Sequence, residues 1–308
     1  MKKAKIGIGI VLVCLVLSSA IVMAAVSNDL LKVSVKDKNN APSLYLDPFK
    51  ENVNISLDEA KTIVESEIPA TKDASAQGGL IYDKFFGKKC WQLSFKTKDG
   101  KHISAYVSAD TGELIYFWDV SKMSSMEGQN LTIDRAKRIA SDYLKSTGGE
   151  LNFSGVIYNP APEEELAAKY DVHYSRMIKG VSCLSDRVTI CVNSETGEIV
   201  SYYKVWTIPE EKIGISSVPT VSKKDAETIL KNYMSRELST EINVLSTKLI
   251  WMDMNYPVPP NGSNDIRLAW WIEFDDSYIR SFEDLPCPAA AWIDAHSGEV
   301  LRLVYDVG

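Results

Sequence analysis

Three stretches of the chain place apolar residues at intervals of three and four, and each opens on a hydroxyl residue. SLDEAKTIVESEI from Ser56 sets Ala60, Ile63, Val64 and Ile68 on one face. TIDRAKRIASDYL from Thr132 does so with Ala136, Ile139, Ala140, Tyr143 and Leu144, and SKKDAETILKNYM from Ser222 with Ala226, Ile229, Leu230, Tyr233 and Met234. This period predicts three amphipathic helices. Ser56, Thr132 and Ser222 are their N-caps, Glu59 completes a capping box, and Asp58, Asp134 and Asp225 suit the positive end of the helix dipole.

The pattern then changes to alternation. Each helix is followed by an aromatic, strand-like run around Trp91, His173 or Trp270, and then by a strand-turn-strand signature: AYVSADTGELIYFWD from Ala105, VTICVNSETGEIVSYYKVW from Val188, AAWIDAHSGEVLRLVYD from Ala290. Thr111-Gly112, Thr196-Gly197 and Ser297-Gly298 supply the positive-φ residue of a tight hairpin. The chain is therefore expected to contain three copies of one unit, a helix followed by about four antiparallel strands. The fold class is α+β: three tandem modules at 53–120, 130–207 and 220–308, each an antiparallel β-sheet covered on one face by an α-helix. Growth from copy to copy falls in proline-rich inserts, NPAPEEELAAKYD in the second and PVPPNGSND plus DDSYIRSFEDLPCP in the third, which read as surface loops.

Ahead of the repeats, MKKAK and an uncharged run from Ile6 to Val26 mark residues 1–26 as a signal peptide or membrane anchor, with 27–52 as a spacer. Cleavage and retention both stay open, because small residues near Ala25 suit a signal peptidase while the run approaches the ~20 residues of a spanning helix. The chain is thus expected outside the cytoplasm, secreted or held in the cell envelope. Removing Lys2, Lys3 and Lys5 with that segment takes the formal net charge from −7 to −10, which argues against nucleic acid as a partner. Four cysteines remain outside: Cys90, Cys183, Cys191 and Cys287. Zinc is disfavoured because no Cys-x-x-Cys pair exists. A disulfide between Cys183 and Cys191 is expected within one hairpin, and Cys90 with Cys287 would have to join the first and third copies. Sequons begin at Asn54, Asn130, Asn152 and Asn261.

The helix with S/T-x-x-x-A, the Trp91-Gln-Leu-Ser-Phe95 strand and the D-T-G-E-L-I hairpin resemble the PepSY domain, best over Ser56–Asp119. The longer second and third copies resemble YcdB/YcdC-type repeats. PepSY domains occur in propeptides that inhibit thermolysin-like metallopeptidases and in cell-envelope proteins, so the resemblance implies regulation of a peptidase. With no H-E-x-x-H here, that peptidase would be a separate chain.

The chemistry-bearing residues suggest no reaction of their own. His102 and His173 fall in strands and His296 in a hairpin turn, without a nucleophile motif or paired-His spacing. Glu113, Glu198 and Glu299 each follow a turn glycine and read as solvated hairpin residues, since Asp110, Glu195 and His296 beside them vary. The acids Glu163, Glu164 and Glu165, and Glu273, Asp275 and Asp276, read as solvated charge runs. Trp118, Trp206 and Tyr305 end the three hairpins and read as core packing rather than a ligand platform. No catalytic, cofactor or metal residue is expected. The expected activity is protein binding, with inhibition of an extracellular peptidase through sheet edges and the inserts at Asn159–Asp171 and Tyr256–Asp265. A membrane-anchored sensing or scaffold ectodomain, and a hydrolase with an unrecognised site, are the alternatives.

Overall fold

The computed structural model describes residues 43–84, 86–123, 131–145, 150–161, 167–208, 213–254, 265–281 and 289–305. The N-terminal segment, Cys287, Asn130, Asn261, Glu163–Glu165 and most of the inserts lie outside them. Among the described residues no helix is long and apolar enough to cross a membrane.

The chain is α+β, and its described residues form a large antiparallel sheet and three α-helices: α1 (Leu57–Glu67), α2 (Ile133–Leu144) and α3 (Lys223–Leu238). Chain contacts divide it into two compact units, 41–214 with 251–266, and 215–250 with 267–308. In the first, β1 (Ser43–Tyr45), β2 (Ser75–Asp83), β3 (Lys88–Lys96), β4 (His102–Ser108) and β5 (Leu114–Asp119) form consecutive antiparallel neighbours. A second meander comprises β6 (Leu151–Asn159), β7 (Lys169–Ile178), β8 (Val181–Asn193) and β9 (Ile199–Val205). Antiparallel pairing of β5 with β9, Phe117 opposite Tyr202, joins the two into nine strands with β1 and β6 as its outer members. One buried cluster runs through this sheet and both helices, from Ala60, Val64 and Phe95 to Ala136, Ala140, Val172 and Ile190. Strands β10 (Asn243–Asp253), β11 (Ile266–Asp275), β12 (Ala289–Asp294) and β13 (Val300–Val304) follow in order along the chain, and in the second unit Ala226, Leu230 and Met234 of α3 share a cluster with Ile272, Phe274 and Ile293.

Each helix begins as the sequence predicts. Ser56, Thr132 and Ser222 accept a hydrogen bond on their side-chain oxygen from the amide three residues on, and Glu59 returns a carboxylate to the Ser56 N–H at 2.8 Å. Such caps contribute about 1 kcal/mol each.

The helix starts are in turn fixed by the hairpin turns. Between β4 and β5, β8 and β9, and β12 and β13 the turn is six residues long, closed by Ser108 N–H to Glu113 O, Asn193 N–H to Glu198 O and Asp294 N–H to Glu299 O, all at 2.8–2.9 Å. The side-chain oxygen of the first residue, Ser108, Asn193 or Asp294, accepts amides inside the turn. The second residue turns its carbonyl outward: Ala109 O accepts from Asn54 and Ile55, Ser194 O from Leu131, and Ala295 O from Thr220 and Val221. The residue before each cap is held a second time, because Ile55 O accepts from Trp91 Nε1, Leu131 O from the Tyr170 hydroxyl, and Val221 O from Trp270 Nε1, at 2.7–2.8 Å. The turn glycines have φ of +74° at Gly112, +76° at Gly197 and +78° at Gly298. A Cβ at Gly197 would stand 3.0 Å from Ile139 and 3.1 Å from Leu131; at Gly298 it would meet Ile229 at 3.0 Å.

The expected disulfide does not form. Cys183 and Cys191 both lie on β8, with free thiols. Eight residues along one strand separate them by about 26 Å, well beyond the roughly 7 Å that a disulfide spans. The hairpin instead turns earlier, at Lys179-Gly180, whose two positive φ values, 50° and 75°, are those of a two-residue primed turn.

Replacing Gly197 by Ala should cost about 1–3 kcal/mol, from the left-handed backbone and the contact with Ile139 and Leu131 together. Gly100, at φ +82° with open space around it, bears the backbone part alone. Urea unfolding should therefore show Gly197→Ala as the more destabilising of the two; equal losses would mean that the packing of the helix start on this turn contributes nothing.

Candidate functional site

The three histidines are dispersed. His102 opens β4 and is exposed. His296 sits in the third turn, where Nδ1 is 3.1 Å from Thr220 Oγ1 and Nε2 3.1 Å from the Ser216 carbonyl oxygen, so it braces the chain leading to α3. His173 is on β7, its Nδ1 2.9 Å from Thr189 Oγ1 and its Nε2 buried with no partner among the described residues. Burial holds its pKa below the ordinary histidine value, with Asp171 opposing that shift and Arg187 adding to it.

The carboxylates expected in solvent are partly drawn into the frame. Glu113, the residue after the first turn glycine, is ion-paired with Lys204 of β9, whose ammonium lies 3.3 Å from the Trp206 ring centroid. Burial lowers the Lys204 pKa and Glu113 opposes that shift. Asp276 corrects the reading of a solvated run more sharply, since it is fully buried. It accepts from the Tyr305 hydroxyl, from Thr240 Oγ1 at 3.0 Å and from the Ile279 N–H at 2.8 Å. Burial would raise its pKa, but these hydrogen bonds outweigh burial and hold it below the ordinary carboxylate range. Glu273 accepts from Ser246, and Asp275 lies 3.9 Å from Arg280.

Trp118, Trp206 and Tyr305 do not share one position. The hairpin residues that reach the core of the first unit are Phe117 and Tyr202, stacked at 6.2 Å, while Trp118 is half-buried on the other face of β5. Trp206 has both the Lys204 ammonium and the Arg176 guanidinium against its ring, the latter 4.3 Å from the centroid. The aromatic follows the turn glycine by six residues at Trp118, nine at Trp206 and seven at Tyr305, and an odd difference in that spacing exchanges the two faces of a strand.

One constellation was not legible in sequence. Cross-strand register aligns Gln92, Tyr106, Tyr116, Tyr203, Thr189 and His173 in a single row across β3, β4, β5, β9, β8 and β7. Gln92 Nε2 donates to the Tyr106 hydroxyl at 3.1 Å, Tyr106 and Tyr116 lie 5.2 Å apart, and Arg187 Nε donates to the Tyr203 hydroxyl at 2.5 Å. Alternation placed each residue on the side away from the helix-facing apolar positions, but only register could join residues 111 positions apart. The row is a hydrogen-bonding, aromatic strip rather than a nucleophile, base and orienter set. Among the described residues no three His, Cys, Asp or Glu side chains are grouped to hold a metal.

The remaining thiols are shielded. Burial pushes Cys90 and Cys183 up to about 12 and raises Cys191 as well. A thiol reagent at neutral pH should leave all three unmodified in the folded chain and label them after denaturation. Labelling of the native chain would show that β3 or β8 opens.

His173 gives a pH signature. Its folded pKa is depressed below 6.5, so the unfolded state takes up the proton more readily. Its contribution to stability is present above about pH 6.5 and is lost as the pH falls below it. The stability difference between pH 7 and pH 5, measured by denaturant unfolding, should shrink in His173→Gln; an unchanged difference would mean that the imidazole is not held neutral by the fold.

A family model described as "YcdB, YcdC repeated domain" matches residues 49–206. Those residues run from the approach to α1 to the end of β9. Among solved structures the chain is similar to the Bacillus megaterium YpeB C-terminal domain, at 14% identity and a TM-score of 0.52, covering 82% of this chain and 98% of that one. At that identity the likeness is one of fold. No curated protein matches. Together with the capped helices and six-residue turns, the match over half of its length shows that this chain belongs to the YcdB/YcdC repeated-domain family.

Proposed function

We infer that the chain is an exported, non-enzymatic protein of three tandem PepSY-like modules that binds an extracellular peptidase or another envelope protein and inhibits it. The observation that carries this reading is the employment of the candidate reactive groups: His296, Glu113 and Asp276 are held in contacts that brace turns, strands and loops. A protein whose polar residues are engaged in its own frame offers a partner surface area and strand edges rather than a reacting atom. The modular reading draws on the helix start, turn and aromatic donor that recur at Ser56, Thr132 and Ser222. Each helix would then cover one face of its own strands. Export rests on the uncharged run from Ile6 to Val26 behind three lysines. The same run supports the second reading, an anchored ectodomain, and the N-terminus of the mature protein distinguishes a retained anchor from a cleaved leader.

Incubating the full chain with the secreted peptidases of its own host, while following both activity and complex formation, tests the proposal. A stable complex with a peptidase of reduced activity is expected. Substrate turnover that one side-chain replacement abolishes, with no complex formed, would establish the hydrolase instead.

A further inference from the structure

Among the described residues strand β6 is an outer strand of the first unit, and β7 is its partner. Outer strands of natural sheets are normally blunted by brevity, lysine or proline, because an unpaired row of N–H and C=O groups accepts another strand. β6 is nine residues long, LNFSGVIYN, with no charge and no proline. Its one irregularity is a bulge between Phe153 and Gly155. The extra residue resets the alternation, so that Phe153 stands opposite Tyr174, Val156 opposite Val172 and Tyr158 opposite Tyr170. Those three β7 residues belong to the buried cluster. The β6 residues therefore continue an apolar face outward, and there Phe153 and Tyr158 remain 42% and 45% exposed.

Charge favours one occupant of this edge. Lys137 of α2 lies 4.8 Å from the Phe153 ring centroid. Among the described residues its ion-pair partner is Asp134, solvent-exposed and 3.8 Å away, a weak contact. Residues 131–145 carry Arg135, Lys137, Arg138 and Lys145 against Asp134 and Asp142, a local positive excess on a chain of net charge −7. A second copy would bring the same positive surface to a β6–β6 junction, whereas an acidic segment is attracted to it.

The geometry points to β6 as the docking edge for an extended segment of a partner protein, apolar at alternate positions and acidic at the end that meets α2. This rests on the reading of the chain as a protein-binding module and names where the partner is held. The backbone of the segment would pair with β6, and its alternate side chains would lie against Phe153, Val156 and Tyr158.

The probe is a labelled nonapeptide of alternating threonine and valine with two glutamates at one end, added to the full chain. Saturable binding is expected, with slowed amide exchange in β6. Binding should weaken tenfold or more in Phe153→Lys and in Ser154→Lys, the latter at the exposed bulge, where the fold loses no packing. Methylating alternate peptide amides should abolish binding without touching the protein, and exchanging the glutamates for lysines should weaken it. Binding that leaves β6 exchange unchanged, or survives peptide methylation, overturns the proposal, as does a dimer of the chain that Ser154→Lys dissociates. If a peptidase complex forms and persists in both lysine variants, this site is wrong while the binding function stands. If the peptide docks on β6 but no partner complex is found, the site stands and the peptidase reading fails.

Discussion

A single backbone carbonyl in each hairpin turn, that of Ala109, Ser194 or Ala295, decides where the following structure can go, because the chain leading into a helix donates to it. The turn can present that carbonyl only with its glycine in the left-handed region, which L side chains rarely adopt. The missing Cβ also leaves the space into which Ile63, Ile139 and Ile229 pack from the helices. Backbone conformation, helix start and core contact are thus one constraint, and it recurs three times. The aromatic donors Trp91, Tyr170 and Trp270 add to it by reaching from a strand to the residue before the cap.

With the helices pinned at one end, the strands are free to differ in what they carry. The glutamate after the turn glycine shows this: Glu113 reaches Lys204 of the neighbouring meander, whereas Glu198 is exposed beside Thr196. Pairing of β5 with β9 brings Glu113 and Lys204 together and makes one core of the first two helices. A pair with Lys204 buried and Glu113 half-exposed is weak evidence for stability, since taking the ammonium out of water offsets much of the attraction. Its consequence is register, because a slip of one residue between β5 and β9 would separate the charges and turn Phe117 away from Tyr202.

The same division between fixed frame and variable periphery bears on function. Some of the groups that sequence offers as chemistry are drawn inward, as Asp276 is by Tyr305, Thr240 and the Ile279 amide. What faces outward is a long uncharged edge at β6 with aromatic side chains along it. An edge of this kind is what the proposed pairing with an extended partner segment would use.

Local pattern determined much of this protein. The helices at Ser56, Thr132 and Ser222, their caps, the strands after them and the three glycine turns follow from residues within a few positions of one another, where spacing and hydrogen-bonding range coincide. The α+β class and the kinship with PepSY-like repeats follow from the same short patterns. Register and sheet order were decided only by tertiary structure, since alternation tells which side a residue faces and not which strand lies beside it. That is why Cys183 and Cys191, read as partners across a hairpin, lie along one strand, and why the acid run at Asp276 and the aromatic at Tyr305 prove to be a single buried hydrogen bond. The row from Gln92 to His173 belongs to the same class, because it exists only once β5 has found β9.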